Sequence, residues 1–336
     1  MSSTLVDVAS LTDYLGDRLP GEGPFDVERH RAGHSNETFF VRRGPDAWVL
    51  RRPPAGAFLP SAHDVAREYR VLSALVRSPV RAPASVLMCE DESVIGAPFY
   101  LMEFVAGVVI READDIPWSE GLKRVGEELV DALVELHATD VQACGLADFG
   151  RPSGYLERQL RRWAGQMELT LPFTRPVSDL ERVGEWLRDN RPRSGPPTLV
   201  HGDYKLDNVM FRRGAAPRLT AILDWEMSTL GDPLADLGWM ASFWRDADEL
   251  RPLNSVTVLP GFSVRSELIE RYSSSTGRDV GALDWYEVLA TWKLAILLEG
   301  SYARHLAGAT DDPFFAEMEH LVPALARRAL SIAGRS

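Results

Sequence analysis

The sequence predicts an α+β fold in two lobes, a small antiparallel sheet lobe followed by a larger, mainly helical lobe. Three observations carry this. At 336 residues the chain exceeds what one ordinary hydrophobic core supports. Between residues 24 and 105, short runs of aromatic and β-branched residues alternate with glycine-bearing breaks. From about Leu122 the apolar positions shift to helical spacing, interrupted once by three short strand-like runs.

The elements follow in order. Residues 5–19, LVDVASLTDYLGDRL, have helical apolar spacing and stop at Pro20-Gly21. FDVERH, ETFFVRR and AWVLRRP read as three antiparallel strands, separated at Gly33 and Gly44. Residues 61–76, SAHDVAREYRVLSALV, form an amphipathic helix, and ASVLMCE and PFYLMEFV add two strands, giving β-β-β-α-β-β. LKRVGEELVDALVELHATD, YLERQLRRWAGQMEL and SDLERVGEWLRDN are helices. TLVHGD, NVMFRR and RLTAILDW are short strands, and helices close the chain from Leu234. The expected division is 1–105 for the sheet lobe and its link, and 106–336 for the helical lobe.

Composition narrows the function. The net charge of −12, spread along the chain, argues against nucleic acid or an anionic membrane as partner. Cys89 and Cys144 make neither a disulfide framework nor a zinc set, so a reducing cytoplasm is the expected setting. The N-terminus carries Asp7, Asp13 and Asp17 and no long apolar run, unlike a signal peptide. The most apolar late stretch, LATWKLAILLEG, is short and contains Lys293, so no membrane span is expected. Lys293 is one of three lysines; the others are Lys123 and Lys205.

The chemistry concentrates in LVHGDYKLDNVMF. Its spacing, H-G-D-x-x-x-x-N, suits phosphoryl transfer, which needs a carboxylate to accept the proton of an attacking hydroxyl and oxygen ligands to hold Mg²⁺ on nucleotide phosphates. Asp203 fits the first need and Asn208 the second. Lys205 suits the developing charge of a transferring phosphate. Read alone, the stretch serves equally as a hairpin turn whose Asp and Asn satisfy backbone groups. AILDWE ends a strand on Asp224, sixteen residues after Asn208 across a hairpin, where a sheet presents a metal ligand. Asp203, Asn208 and Asp224 together form a constellation that a turn alone does not require.

With these residues in view, the chain resembles the aminoglycoside phosphotransferase family, the small-molecule branch of the protein-kinase-like fold. HGDYKLDN matches the family's HGDxxxxN loop, and ILDWEMSTLGDPLADLGW matches the segment holding its second metal-binding Asp. The likeness is greatest to the subgroup that stands alone in actinobacteria and is fused to acyl-CoA dehydrogenases in animals. It covers roughly residues 20–310, and is more specific in the large lobe. The resemblance implies ATP and Mg²⁺ as cofactors and a small-molecule hydroxyl as acceptor. Asp203 and Lys205 are then catalytic, and Asn208 and Asp224 hold the metal. Gly33, His34, Ser35 and Asn36 fall in the phosphate-covering loop. Arg51 stands where kinases have a strand-three lysine, a departure because guanidinium and ammonium differ in shape. Strand alternation lets only one of Arg51 and Arg52 face the cleft, and Arg51 is preferred, with Glu68 as its partner. Met102, Glu103 and Val105 line the adenine slot. His201, Asp232 and Asp236 are structural by the same resemblance, His137 is a core residue, and Asp207 faces solvent or caps the turn.

Two other readings explain parts of the sequence. A nucleotide-binding pseudo-enzyme or scaffold accounts for Arg51. A metal-dependent hydrolase with His201, Asp203, Asp207 and Asp224 as ligands accounts for the polar cluster, but gives the sheet lobe no role. The aromatics beyond Leu234, including Trp239, Phe243 and Trp292, suit core packing or a partly apolar acceptor of the hydroxyacyl type rather than an aminoglycoside.

Overall fold

The computed structural model describes residues 5–30, 36–54, 64–244, 256–309 and 313–335. The N-terminal part is a five-stranded antiparallel sheet built from β1 (Asp26–His30), β2 (Glu37–Arg43), β3 (Asp46–Arg52), β4 (Ser85–Cys89) and β5 (Phe99–Glu103), in the order β1-β2-β3-β5-β4. Helix α1 (Val8–Leu15) precedes the sheet, and α2 (Val65–Leu75) connects β3 to β4.

Both helices are shorter than their sequence pattern. Helix α1 starts at its cap, where the Asp7 carboxylate accepts the Ala9 N–H at 3.0 Å, and ends at Gly16 rather than Pro20. Residues 16–19 turn instead, which still buries Leu19. Helix α2 starts after Asp64, whose carboxylate accepts the Arg67 N–H at 3.0 Å. Residues 61–63 of the expected helix lie outside the described residues.

The sheet has two apolar faces. Leu50, Phe39, Val41, Phe99 and Leu101 pack under Leu11 and Leu15 of α1. On the opposite face Val49, Tyr100 and Met102 join Val71, Leu72 and Leu75 of α2 in a core that continues into the helical part. Alternation along β3 therefore sends Arg51 to the side of Val49 and Arg52 to the side of Leu50.

After β5 the chain runs against β7 (Val209–Phe211), where Val108 and Phe211 exchange backbone hydrogen bonds at 2.8 and 2.9 Å. Gly107 is required there, since a Cβ would strike the Phe211 carbonyl. The larger part contains α3 (Lys123–His137), α4 (Tyr155–Thr170) and α5 (Ser178–Asp189), then β6 (Thr198–Val200), β7 and β8 (Leu219–Ile222). Strands β7 and β8 form the expected hairpin. A further strand, β9 (Thr229–Gly231), pairs with β6; at three residues it carries no readable alternation. Four helices follow, α6 (Leu234–Phe243), α7 (Arg265–Thr276), α8 (Leu283–Leu306) and α9 (Met318–Ala333). Helix α2 is tied to this part by Arg67, which donates to the carbonyls of Phe149 (2.8 Å) and Ser228 (3.0 Å).

Candidate active site

The loop from His201 to Asn208 joins β6 to β7 and is held from beneath by Asp236 of α6. The Asp236 carboxylate accepts the N–H groups of His201 at 2.6 Å and Gly202 at 2.7 Å. His137 of α3 reaches the same carboxylate at 3.3 Å, and its other ring nitrogen meets the Tyr272 hydroxyl at 2.7 Å. Burial works against the Asp236 charge, but the hydrogen bonds from His137 and the loop outweigh it and hold the carboxyl below its ordinary range. Gly202 takes φ +84°, and a Cβ would lie 2.6 Å from the Met227 carbonyl oxygen, so only glycine fits.

His201 is fully buried. Its Nδ1 accepts the Asp203 N–H at 3.3 Å, so Nε2 carries the proton and donates to the Leu223 carbonyl at 2.9 Å. The ring thus joins the loop to the end of β8 and has no free lone pair for proton transfer. Asp232, just ahead of α6, accepts the Leu234 N–H at 3.1 Å and the Tyr286 hydroxyl at 2.8 Å. Asp207 is exposed.

Both oxygens of Asp203 are engaged. Oδ1 accepts the indole N–H of Trp239 at 2.7 Å, and Oδ2 accepts the Asn208 amide at 2.7 Å. That amide also donates to the Asp203 carbonyl at 2.9 Å, which orients its own oxygen away from Asp203. The Lys205 ammonium is 3.7 Å from Oδ2 and 5.2 Å from the Phe243 ring centroid. About a fifth of each side chain is open to solvent (Asp203 23%, Lys205 22%), so a substrate can reach both.

The hairpin brings Asn208 and Asp224 to one end, because the Leu223 N–H donates to the Asn208 carbonyl at 2.8 Å. Asp224 sits at φ 64°, the left-handed conformation that no other non-glycine residue adopts among those described. Such a conformation costs about 1–3 kcal/mol and turns up at working sites. Asp224 Oδ1 is 3.3 Å from Arg51. Carboxylate oxygens of Glu68, Asp224 and Glu226 lie within 4.8 Å of one another. Carboxylate oxygens of this kind fit a hard cation such as Mg²⁺.

Arg51 is buried and bridges Asp224 to Glu68, 3.2 Å away on α2. Glu68 also accepts the Asn36 amide and the Tyr100 hydroxyl, each at 2.6 Å. Burial opposes the Arg51 charge, but the field of Glu68, with Asp224 behind it, overcomes this and keeps the guanidinium charged. Two buried polar atoms here, Arg51 Nε and Asn36 Oδ1, have no partner among the described residues. Arg52 points the other way and donates to the Ile95 carbonyl at 3.0 Å and to that of Leu5.

Thus Asp203, Lys205, Asn208, Asp224, Arg51 and Glu68 form one connected set. Asn36, expected in the phosphate-covering loop, directs its amide to Glu68. Gly33, His34 and Ser35 lie outside the described residues. Met102 is buried with its sulfur 4.0 Å from the Tyr100 hydroxyl, Val105 is half-buried and Glu103 is exposed. Three neighbours escape sequence reasoning: Glu226, Trp239 and Lys293. Lys293 left a signal, a lone charge inside LATWKLAILLEG, and Trp239 was one aromatic among many.

The profile described as the phosphotransferase enzyme family matches residues 26–267. Acyl-CoA dehydrogenase family member 11 of Rattus norvegicus is 35% identical over 345 residues, covering 98% of this chain. The chain spans 44% of that relative's length. A crystal structure from Ralstonia eutropha, assigned as an aminoglycoside phosphotransferase, has a TM-score of 0.84 and 30% identity, covering 98% of this chain and 99% of its own. An aminoglycoside phosphotransferase solved with ADP and hygromycin B has a TM-score of 0.62 over 97% of this chain and 98% of its own, and at 15% identity it shows the fold alone. The matched span contains the whole connected set of polar residues just described, and the chain belongs to the phosphotransferase enzyme family.

Proposed function

We propose that the protein is an ATP-dependent phosphotransferase acting on a hydroxyl of a small molecule. The observation that carries this reading is the connected set running from Asp203 through Asn208 and Asp224 to Arg51 and Glu68. Residues 1–105 serve the nucleotide and residues 106–336 serve catalysis and the acceptor. Asp203 takes the proton of the acceptor hydroxyl as its oxygen bonds to the γ-phosphorus and the bond to the ADP oxygen breaks. Lys205 lies against the transferring phosphoryl group. Asn208 and Asp224 hold Mg²⁺, which neutralises charge on the phosphates when bound. Arg51, set by Glu68, takes the α- and β-phosphates, and its unpartnered Nε is a donor for one of their oxygens. By the family resemblance, Gly33, His34, Ser35 and Asn36 are assigned to the phosphates, and Met102 with the backbone of Glu103 and Val105 to adenine.

For the acceptor we favour a hydroxyacyl-type or other partly apolar alcohol over an aminoglycoside. The curated relatives named as acyl-CoA dehydrogenases support this, as does the even spread of acidic charge. The setting is cytoplasmic: Cys89 and Cys144 are free thiols. No described helix is long and apolar enough to cross a membrane.

The test is a screen of hydroxyl acceptors with Mg·ATP and Mg·GTP, read by nucleotide consumption and by the mass gain of one phosphate. Asp203→Ala should lower turnover by roughly 10²–10⁴-fold, the usual weight of a general base, with Mg·ATP binding retained. Near-normal turnover removes Asp203 from that role. Nucleotide binding with no turnover on any acceptor favours a scaffold, a reading that the Arg51–Asp224 contact supports.

A further inference from the structure

Lys293 is an unusual core residue. It sits in the middle of α8, 8% exposed, and no carboxylate lies within 4 Å of its ammonium among the described residues. A buried ammonium without a carboxylate is costly, and a methionine would fill the same space at no such cost. Its contacts give the reason for the charge. The ammonium donates to the Gly202 carbonyl at 2.7 Å and stands 3.9 Å from the centroid of the Trp239 indole, with the Trp163 ring at 5.5 Å. Gly202 is therefore clamped on both sides, its N–H on Asp236 and its C=O on Lys293. The next residue is Asp203, whose Oδ1 accepts the Trp239 N–H.

We propose that Lys293 and Trp239 are a positioning pair for Asp203, the ammonium holding the indole so that its N–H fixes one oxygen of the carboxylate. This rests on the reading of Asp203 as the proton acceptor. A cation on the ring face draws π density toward itself and makes the indole N–H a stronger donor. The N–H then holds Oδ1, Asn208 holds Oδ2, and the carboxylate cannot rotate out of line with an incoming hydroxyl. Lys293 acts through the Gly202 carbonyl and the Trp239 ring, both of which it contacts.

The charge on Lys293 is adjustable in the working range. Burial is the largest influence and pulls its pKa from 10.5 to about 8. Asp203 on the loop and Asp236 on α6 favour the charge, whereas Arg162 on α4 and Lys205 on the loop oppose it. The phenols that share its small cavity, Tyr155 of α4 and Tyr286 of α8, are pushed up by burial and stay neutral throughout. The positioning pair should therefore relax as Lys293 loses its proton.

The experiment measures Mg·ATP turnover with water as acceptor, as kcat and KM between about pH 6 and 9.5, on the full chain and four variants. Trp239→Phe removes only the N–H and should lower kcat about tenfold, the weight of one hydrogen bond to a charged group, with KM nearly unchanged. Lys293→Met should lower kcat by a similar factor and abolish the wild-type decline above about pH 8. Lys293→Arg should recover most of the rate and keep it at pH 9. In parallel, the indole N–H resonance assigned by its loss in Trp239→Phe should titrate near pH 8 in the wild type and not in Lys293→Met. This second readout decides the matter where hydrolysis is too slow or a variant fails to fold. Wild-type kcat and pH profile in Trp239→Phe and Lys293→Met, alongside an inactive Asp203→Ala, would overturn the pair. So would an indole resonance that does not move. Full turnover in Asp203→Ala overturns instead the reading of Asp203 as the base.

Discussion

The two ends of the candidate site are built differently. Around Asp203 the positioning groups are all partnered: Trp239 and Asn208 hold the carboxylate, Asp236 and Lys293 hold the preceding peptide, and His201 joins the loop to β8. Around Arg51 the accounting does not close among the described residues, since its Nε and the Asn36 Oδ1 are buried without a partner there. Buried polar groups are seldom left this way. The end around Asp203, the proposed acceptor end, has its geometry set by folding, through helices that lie far away in sequence. The end around Arg51, the proposed phosphate end, spans β3, α2 and the β8 turn and leaves two buried polar atoms open among the described residues.

The sharpest way to break this contrast is at Asp236. Asp236→Ala strands two loop N–H groups and a buried histidine, and should cost about 3–5 kcal/mol, the range for breaking a buried charged network. Equilibrium denaturation reads it, and a loss under about 1 kcal/mol would mean that the loop is held by something else.

Next in size is a pH effect at the same end. The Lys293 pKa falls from 10.5 in the unfolded chain to about 8 in the folded one, so the unfolded state binds more protons between those values. Stability should rise with pH across that window, by up to about 3 kcal/mol; below it the cost of the buried ammonium is fully present and does not vary with pH. The difference between wild type and Lys293→Met, followed by melting at several pH values, isolates the contribution. Parallel pH curves would show that Lys293 titrates normally.

The smallest effect belongs to the phosphate end. Arg51→Met should raise KM for Mg·ATP about tenfold, the loss of one charge-assisted contact, with a lesser change in kcat. Arg52→Met should leave that KM alone and lower stability instead, since Arg52 donates to the backbone carbonyls of Leu5, Pro53 and Ile95 on the other face of the sheet. Equal effects of the two on KM would erase the distinction between the faces of β3.

What the sequence shows follows the same divide. The His201–Asn208 loop is legible because its parts lie within eight residues, and Asp224 because a hairpin fixes its distance along the chain. Arg51 separates from Arg52 by strand alternation alone. The contacts of Trp239 and Lys293 with the loop are not legible, because they cross 36 and 91 residues, although the lone charge of Lys293 in an apolar run is visible. Helix α8 is buried on nearly every face, so no polar stripe indicates which side of it matters. The late starts of α1 and α2 have a local reason: a capping aspartate starts a helix later than its apolar pattern does.

The left-handed turn at Asp224 carries a consequence for how such chains age. Glycine is at ease in that conformation and asparagine tolerates it, so either would relieve strain that aspartate endures. Under the metal-holding role proposed for Asp224, stability and turnover therefore pull against each other at this one position, and a blind search for thermal tolerance should select Asp224→Gly or Asp224→Asn at the expense of turnover.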